Sequence, residues 1–233
     1  MERNQTLLHQ KLKHLYSKAC DGREEVDVQI KGRKYRIDVL DESSKIAYEI
    51  QLGNLGMHFY KKIEALMDLY KVIVVYPIPL KQHVTINEKG NVESKLVRKR
   101  NDYYSVFKDM VSFRTNFKEG RLEFELLLVE ERVEQEFAGF YRRRPHYTTL
   151  QRDLVGVVDS WTLSSQEDFL SMLPENLPKT FTNKDLIERL DIKGGLRRKR
   201  KISGWMTYSL CSLGLLDRVG KQGNAHLFAL SKF

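Results

Sequence analysis

The chain has 233 residues, 41% hydrophobic and 30% charged, with 40 Lys+Arg against 31 Asp+Glu for a formal charge of +9. That apolar content is too high for a disordered chain and too low for a membrane protein, and the length suits one large domain or two modest ones. The longest purely apolar or aromatic run, residues 72–76, is far too short to span a bilayer. No apolar signal-peptide core follows Met1, and Cys20 and Cys211 lie far apart with no C-x-x-C, which argues against a disulfide framework or a zinc knuckle. A soluble protein is expected, cytoplasmic and nucleoid-associated if prokaryotic, with no membrane partner.

Residues 7–16 carry Leu7, Leu8, Leu12 and Leu15 at helical spacing, and Cys20-Asp21-Gly22 ends that helix. Three strands follow over 26–30, 35–40 and 46–51, separated by the turns Lys31-Gly32-Arg33 and Asp41-Glu42-Ser43-Ser44. Gly53, Asn54 and Gly56 form a joint before a helix over 59–69. Residues 72–76 read as a fully buried strand, stopped by Pro77 and Pro79. In the middle of the chain the pattern predicts a helix over 102–111, a strand over 122–129, a break at Arg142-Arg143-Arg144-Pro145 and a helix over 150–161. Residues 174–178 make the best linker. Three segments result: 1–95, a middle extension 96–173 that completes the first domain or stands apart from it, and 174–233.

With the 35–51 hairpin turning at Glu42-Ser43, Asp38 lies opposite Ala47, Arg36 opposite Glu49 and Leu40 opposite Lys45. Ile37, Val39, Ile46, Tyr48 and Ile50 are then buried together. Asp38, Glu49 and Gln51 share the other face, because strand side chains alternate with period 2. Two carboxylates at diagonal cross-strand positions repel unless a cation lies between them. Oxygen ligands suit Mg²⁺ or Mn²⁺, which would lower the pKa of a bound water and neutralise charge on a phosphodiester.

The segment from 175 onward holds 12 basic and 5 acidic residues, so most of the positive surplus sits at the C-terminal end, as expected for a module that meets nucleic acid. Thr182 and Asp185 read as a capping box for a helix ending at Leu190. After Gly194-Gly195 a second stretch starts near Leu196, and a third helix is expected over 203–216. Two short strands, 217–220 and 226–230, flank the turn Lys221-Gln222-Gly223-Asn224. Arg197, Arg198, Lys199, Arg200 and Lys201, with Lys221, are candidate phosphate contacts; Ser203, Thr207, Tyr208 and Ser212 are candidate base contacts.

The order helix, strand, strand with Asp, strand with Glu, helix, strand resembles the core of the PD-(D/E)XK nuclease superfamily over roughly residues 5–80. Arg36-Ile37-Asp38-Val39-Leu40 looks like its "PD" strand and Ala47-Tyr48-Glu49-Ile50-Gln51 like its "ExK" strand. Ile37 replaces the proline, and Gln51 stands where the family usually has a lysine. Lys61 or Lys62 on the following helix would then supply the charge. For the family's helical acid, Glu2 and Glu25 are the candidates. Residues 180–233 resemble a winged helix-turn-helix module, above all in Leu213-Gly214-Leu215-Leu216-Asp217-Arg218-Val219-Gly220-Lys221-Gln222-Gly223. Together the resemblances imply an α/β (α+β) protein, a nuclease-like mixed sheet flanked by helices plus a winged helix. They imply a Mg²⁺-dependent endonuclease acting on DNA, with Asp38 and Glu49 as metal ligands, Gln51 orienting the water, and a homodimer or a DNA-processing complex as its setting. The alternative is a non-catalytic DNA-binding regulator or assembly subunit that keeps an inactive nuclease fold as scaffold.

Overall fold

The computed structural model describes residues 6–113 and 117–231. It opens with α1 (Leu7–Cys20), whose N-cap Thr6 hydroxyl accepts the His9 backbone N–H and whose C-cap Asp21 takes a left-handed φ of 50°. Leu8, Leu12 and Tyr16 are buried, while Leu7 and Leu15 face outward, so the apolar stripe is narrower than the leucine spacing suggests. Strands β1 (Arg23–Ile30), β2 (Arg33–Asp41) and β3 (Ile46–Ile50) form an antiparallel meander, then α2 (Met57–Met67) crosses over to β4 (Lys71–Glu88). β4 runs parallel to β3 and to β6 (Leu122–Tyr141). β5 (Asn91–Arg98) folds back on the far half of β4, and β7 (Arg144–Leu163) pairs antiparallel with β6. The protein is therefore a mixed α/β fold built on one mixed seven-stranded sheet flanked by helices.

Two expectations fail here for identifiable reasons. Pro77 and Pro79 do not stop β4, which continues to Glu88. The Val75 carbonyl accepts the Gln51 N–H, so the donors missing at residues 77 and 79 would face the same side of β4. β3 has already ended there, and proline is tolerated where a strand has lost its neighbour. The helix expected over 150–161 is part of β7. Register shifts against β6 leave Leu150, Val155 and Val158 as extra, unpaired residues. All three side chains are exposed, and their insertion breaks the period of 2 into a spacing that imitates a helix. The strand over 122–129 is also longer than expected, and the helix over 102–111 resolves into a 3₁₀ turn, Tyr103–Val106, followed by α3 (Phe107–Met110).

The C-terminal part comprises α4 (Gln166–Leu170), α5 (Asn183–Arg189), α6 (Leu196–Ser212) and the hairpin β8 (Leu216–Gln222) to β9 (Ala225–Leu230). Thr182 and Asp185 make the reciprocal capping box on α5. The second and third helical stretches are one helix, and Gly214, at φ 77°, turns the chain out of it into β8. Phe181 adds a bridge to Phe228, giving the order helix, bridge, helix, helix, hairpin.

Both faces of the central strands are buried. On one face Leu8 and Leu12 of α1 pack onto Val39, Ile50, Ile73 and Val75. On the opposite face Ile37, Ile63, Val72 and Val74 belong to a cluster that runs on through Phe107 to Met206 and Leu210 of α6. At roughly 1.5–3 kcal/mol per buried large apolar side chain, this shared cluster ties the C-terminal helices to the sheet. Among the described residues no helix is long and apolar enough to cross a membrane.

Candidate active site

The β2–β3 turn sets the geometry. Asp41 Oδ1 accepts the Ser43 hydroxyl at 2.6 Å and the Ser44 N–H at 3.0 Å, and Lys45 adopts φ 53°. The turn is therefore centred on Ser43-Ser44, one residue further along than Glu42-Ser43, and the register moves by two residues: Leu40 lies opposite Ala47 and Val39 opposite Tyr48. An even shift leaves every face unchanged. Continued by one pair, it sets Asp38 opposite Glu49, closer than the diagonal expected. Alternation breaks at Asp38, however. Ile37 falls in the cluster on the α2 side and Val39 in that on the α1 side, so the expected joint burial of Ile37 with Val39, Ile46, Tyr48 and Ile50 does not occur. Glu25 of β1, in the adjoining strand, adopts φ 55° at this point, which accounts for the kink.

Glu49 is 1% exposed, and its Oε2 meets Lys62 Nζ of α2 at 2.5 Å. Its Oε1 is buried with no hydrogen-bond partner. Burial pushes the Glu49 carboxyl up to about 8; Lys62 opposes the rise and the charge of Asp38 adds to it. Asp38 is held the other way. Burial disfavours its charge, but a hydrogen bond from His9, the nearby Lys62 and the Ile50 N–H outweigh that and keep its carboxyl below the usual range. Its Oδ2 accepts the Ile50 N–H at 2.8 Å and lies 3.4 Å from His9 Nε2. Burial thus works against the charge on Glu49 while the donors around Asp38 favour its charge, and Lys62 of α2 lies against Glu49.

Of the other expected residues, Gln51 is turned aside: its Nε2 donates to the Asn54 carbonyl at 2.8 Å and braces the 53–56 joint. Lys61 is exposed, whereas Lys62 reaches Glu49. Glu25 pairs with Lys13 and Arg36 rather than joining the carboxylates, and Glu2 lies outside the described residues. His9 was not anticipated. The available signal was its place beside Leu8 on the rim of the buried stripe of α1. Among the described residues no group of three or more His, Cys, Asp or Glu has metal-holding geometry. Asp38 and Glu49 are a pair. Two carboxylates suffice for a cation that keeps most of its waters, and the unbonded Glu49 Oε1 is the kind of buried acceptor such an ion would satisfy.

The basic run divides. Arg197, Arg200 and Lys201 are exposed and Lys199 is half-buried. Arg198 is engaged internally, its guanidinium donating to both Asp102 carboxylate oxygens at 2.7 and 2.9 Å and to the Lys193 carbonyl. Ser203 and Thr207 are corrected as base contacts. Both are buried, and Thr207 Oγ1 donates within the fold, to the Ser203 carbonyl or Asn183. Tyr208 and Ser212 are half-buried, Ser212 donating to the Tyr208 carbonyl, and Lys221 is exposed on β8. A crevice of 530 Å³ at the start of α6 is lined by Arg100, Lys108, Arg197 and Lys201. Through Asn101, Ser105 and Lys108 it adjoins a polar cleft of 670 Å³ that reaches Gly53 and Asn54, the joint that Gln51 braces.

Residues 6–164 match the family described as a domain of unknown function, DUF8091, and the chain belongs to that family. No curated protein and no solved structure matches it.

Proposed function

We propose that this protein is a metal-dependent DNA endonuclease, built as a PD-(D/E)XK-type domain whose C-terminal part is a winged helix. The observation that carries the reading is the juxtaposition of Asp38 and Glu49 on neighbouring strands, with an unbonded buried oxygen on Glu49 and Lys62 against it. Asp38 and Glu49 would hold Mg²⁺ or Mn²⁺, which when bound supplies an acidified water and charge neutralisation at the scissile phosphate. Lys62 takes the part of the lysine that Gln51 lacks, as a cation at the carboxylate pair. Gln51 shapes the adjoining loop. The Asp38 carboxylate is oriented by the Ile50 N–H and His9, so it needs little reorganisation to act as a ligand. The order helix, bridge, helix, helix, hairpin supports the winged-helix reading, and the cationic crevice beside α6 adjoins a cleft that reaches Gly53 and Asn54, a surface on which phosphates could lie.

Nicking of supercoiled plasmid by the full chain tests this. Wild type should nick with Mg²⁺ or Mn²⁺ and not in EDTA, and Asp38→Ala and Glu49→Ala should abolish nicking while DNA affinity persists. Equal nicking by wild type and Glu49→Ala, or none by wild type with either metal, refutes the reading and favours a DNA-binding scaffold.

A further inference from the structure

The two-residue turn between β6 and β7 carries a surface that the carboxylate site does not use. Residues 137–152 contain Arg142, Arg143, Arg144 and Arg152 and no Asp or Glu. Arg152 is occupied by Glu131, but Arg142 and Arg143 of the turn and Arg144 at the start of β7 are exposed. Beside them Phe140 is 72% and Tyr141 63% exposed. These rings are arranged by their neighbours. Phe137 meets Phe140 edge-on at 5.4 Å and Tyr147 at 5.9 Å, and the Arg142 guanidinium lies 5.3 Å from the Tyr141 ring centroid. Arg142 and Arg143 both take positive φ, 48° and 62°. Such turns ordinarily use Asn-Gly, so arginines sit here against the local conformational preference.

Large aromatic rings held in water beside cations match a base face next to a phosphate. We propose that this hairpin tip is a second DNA contact, in which Arg142, Arg143 and Arg144 meet phosphates while Phe140 and Tyr141 stack on or wedge between bases. The proposal rests on DNA being the ligand of the carboxylate site and adds where else that DNA is held. Phe124 is level with Val74, and through it with Glu49. From Phe124 to Tyr141 the strand rises roughly 55 Å at about 3.3 Å per residue. The tip would therefore meet DNA about 16 base pairs from the cut, at roughly 3.4 Å per pair.

The test uses the full chain in EDTA, so that no cutting is involved, with a labelled duplex of about 40 base pairs carrying 2-aminopurine, titrated by anisotropy over a salt series. Phe140→Ala/Tyr141→Ala should weaken binding about tenfold or more, with the salt slope unchanged, and should remove the 2-aminopurine brightening that reports unstacking. Phe140→Trp/Tyr141→Trp should restore both. Neutralising Arg142, Arg143 and Arg144 to alanine should flatten the log K against log salt slope by about 2 to 3. All of these side chains are exposed, and circular-dichroism melts should match wild type. Affinities within about twofold of wild type for both alanine variants overturn the proposal. So does a change in self-association with DNA affinity intact, which would mark a protein interface. If wild type binds with these differences but never nicks plasmid, hydrolysis falls and the tip contact stands. If it nicks and the tip variants bind normally, the tip contact alone falls.

Discussion

Glu49 offers the most direct test of the site's electrostatics, because its proton is linked to folding. In the unfolded chain its carboxyl titrates near 4.5, and in the fold near 8. Between those values the folded state keeps a proton that the unfolded state has lost, so stability is fully present below the lower pKa and falls as pH rises toward 8. At about 1.4 kcal/mol per unit, the full span amounts to about 5 kcal/mol. Asp38 does not interfere. Its carboxyl is lowered, so its contribution is lost only on acidification below the usual carboxylate range. Glu49→Gln has a similar shape and no titration. Urea unfolding in EDTA should therefore find the variant gaining on wild type by about 3 to 4 kcal/mol between pH 5 and pH 8. Millimolar Mg²⁺ at the upper pH should then stabilise wild type and leave the variant unchanged. A difference that stays constant across this range refutes the reasoning. Glu49 would then be ionised throughout, and the site would be a closed Lys62–Glu49 ion pair.

The remaining predictions concern single side chains. Lys62→Ala should cut metal-dependent nicking roughly a hundredfold or more, as loss of a cation at developing charge does, while Gln51→Ala, measured in the same plasmid assay, should have a much smaller effect. Neutralising Arg197, Arg200 and Lys201 should flatten the salt dependence of DNA binding by about 2 to 3. Arg198→Ala should leave that slope alone and instead lower unfolding stability by about 1–3 kcal/mol, by stripping Asp102 of its partner. Arg152→Ala should cost about 3–5 kcal/mol in urea unfolding, because it abandons fully buried Glu131, whose other side-chain donor is Gln82.

Much of the first part of the fold was legible because it rests on local periods. The leucines of α1, the alternation in β1 to β3, the apolar run of β4 and the Thr182–Asp185 capping box each declare themselves within a few residues. The placement of Asp38 and Glu49 on neighbouring strands at nearby positions survives a wrong register because the turn altered the pairing by only two residues, although the strand's alternation breaks at Asp38 beside the left-handed Glu25. What the chain does at a distance was not legible. Lys61 and Lys62 were both candidates from sequence, and only the packing of α2 brings Lys62 rather than Lys61 to Glu49, while His9 meets Asp38 only because α1 lies over β2. Arg198 leaves the basic run to join Asp102, a residue 96 positions earlier. Pro77 and Pro79 are strand residues because β3 ends beside them, and β7 is a strand because β6 offers it a ladder. Sequence alone determined which segments carry apolar faces and which strands carry the carboxylates. Tertiary structure decided which cation meets which carboxylate, since that depends on helices packing over a sheet rather than on any local spacing.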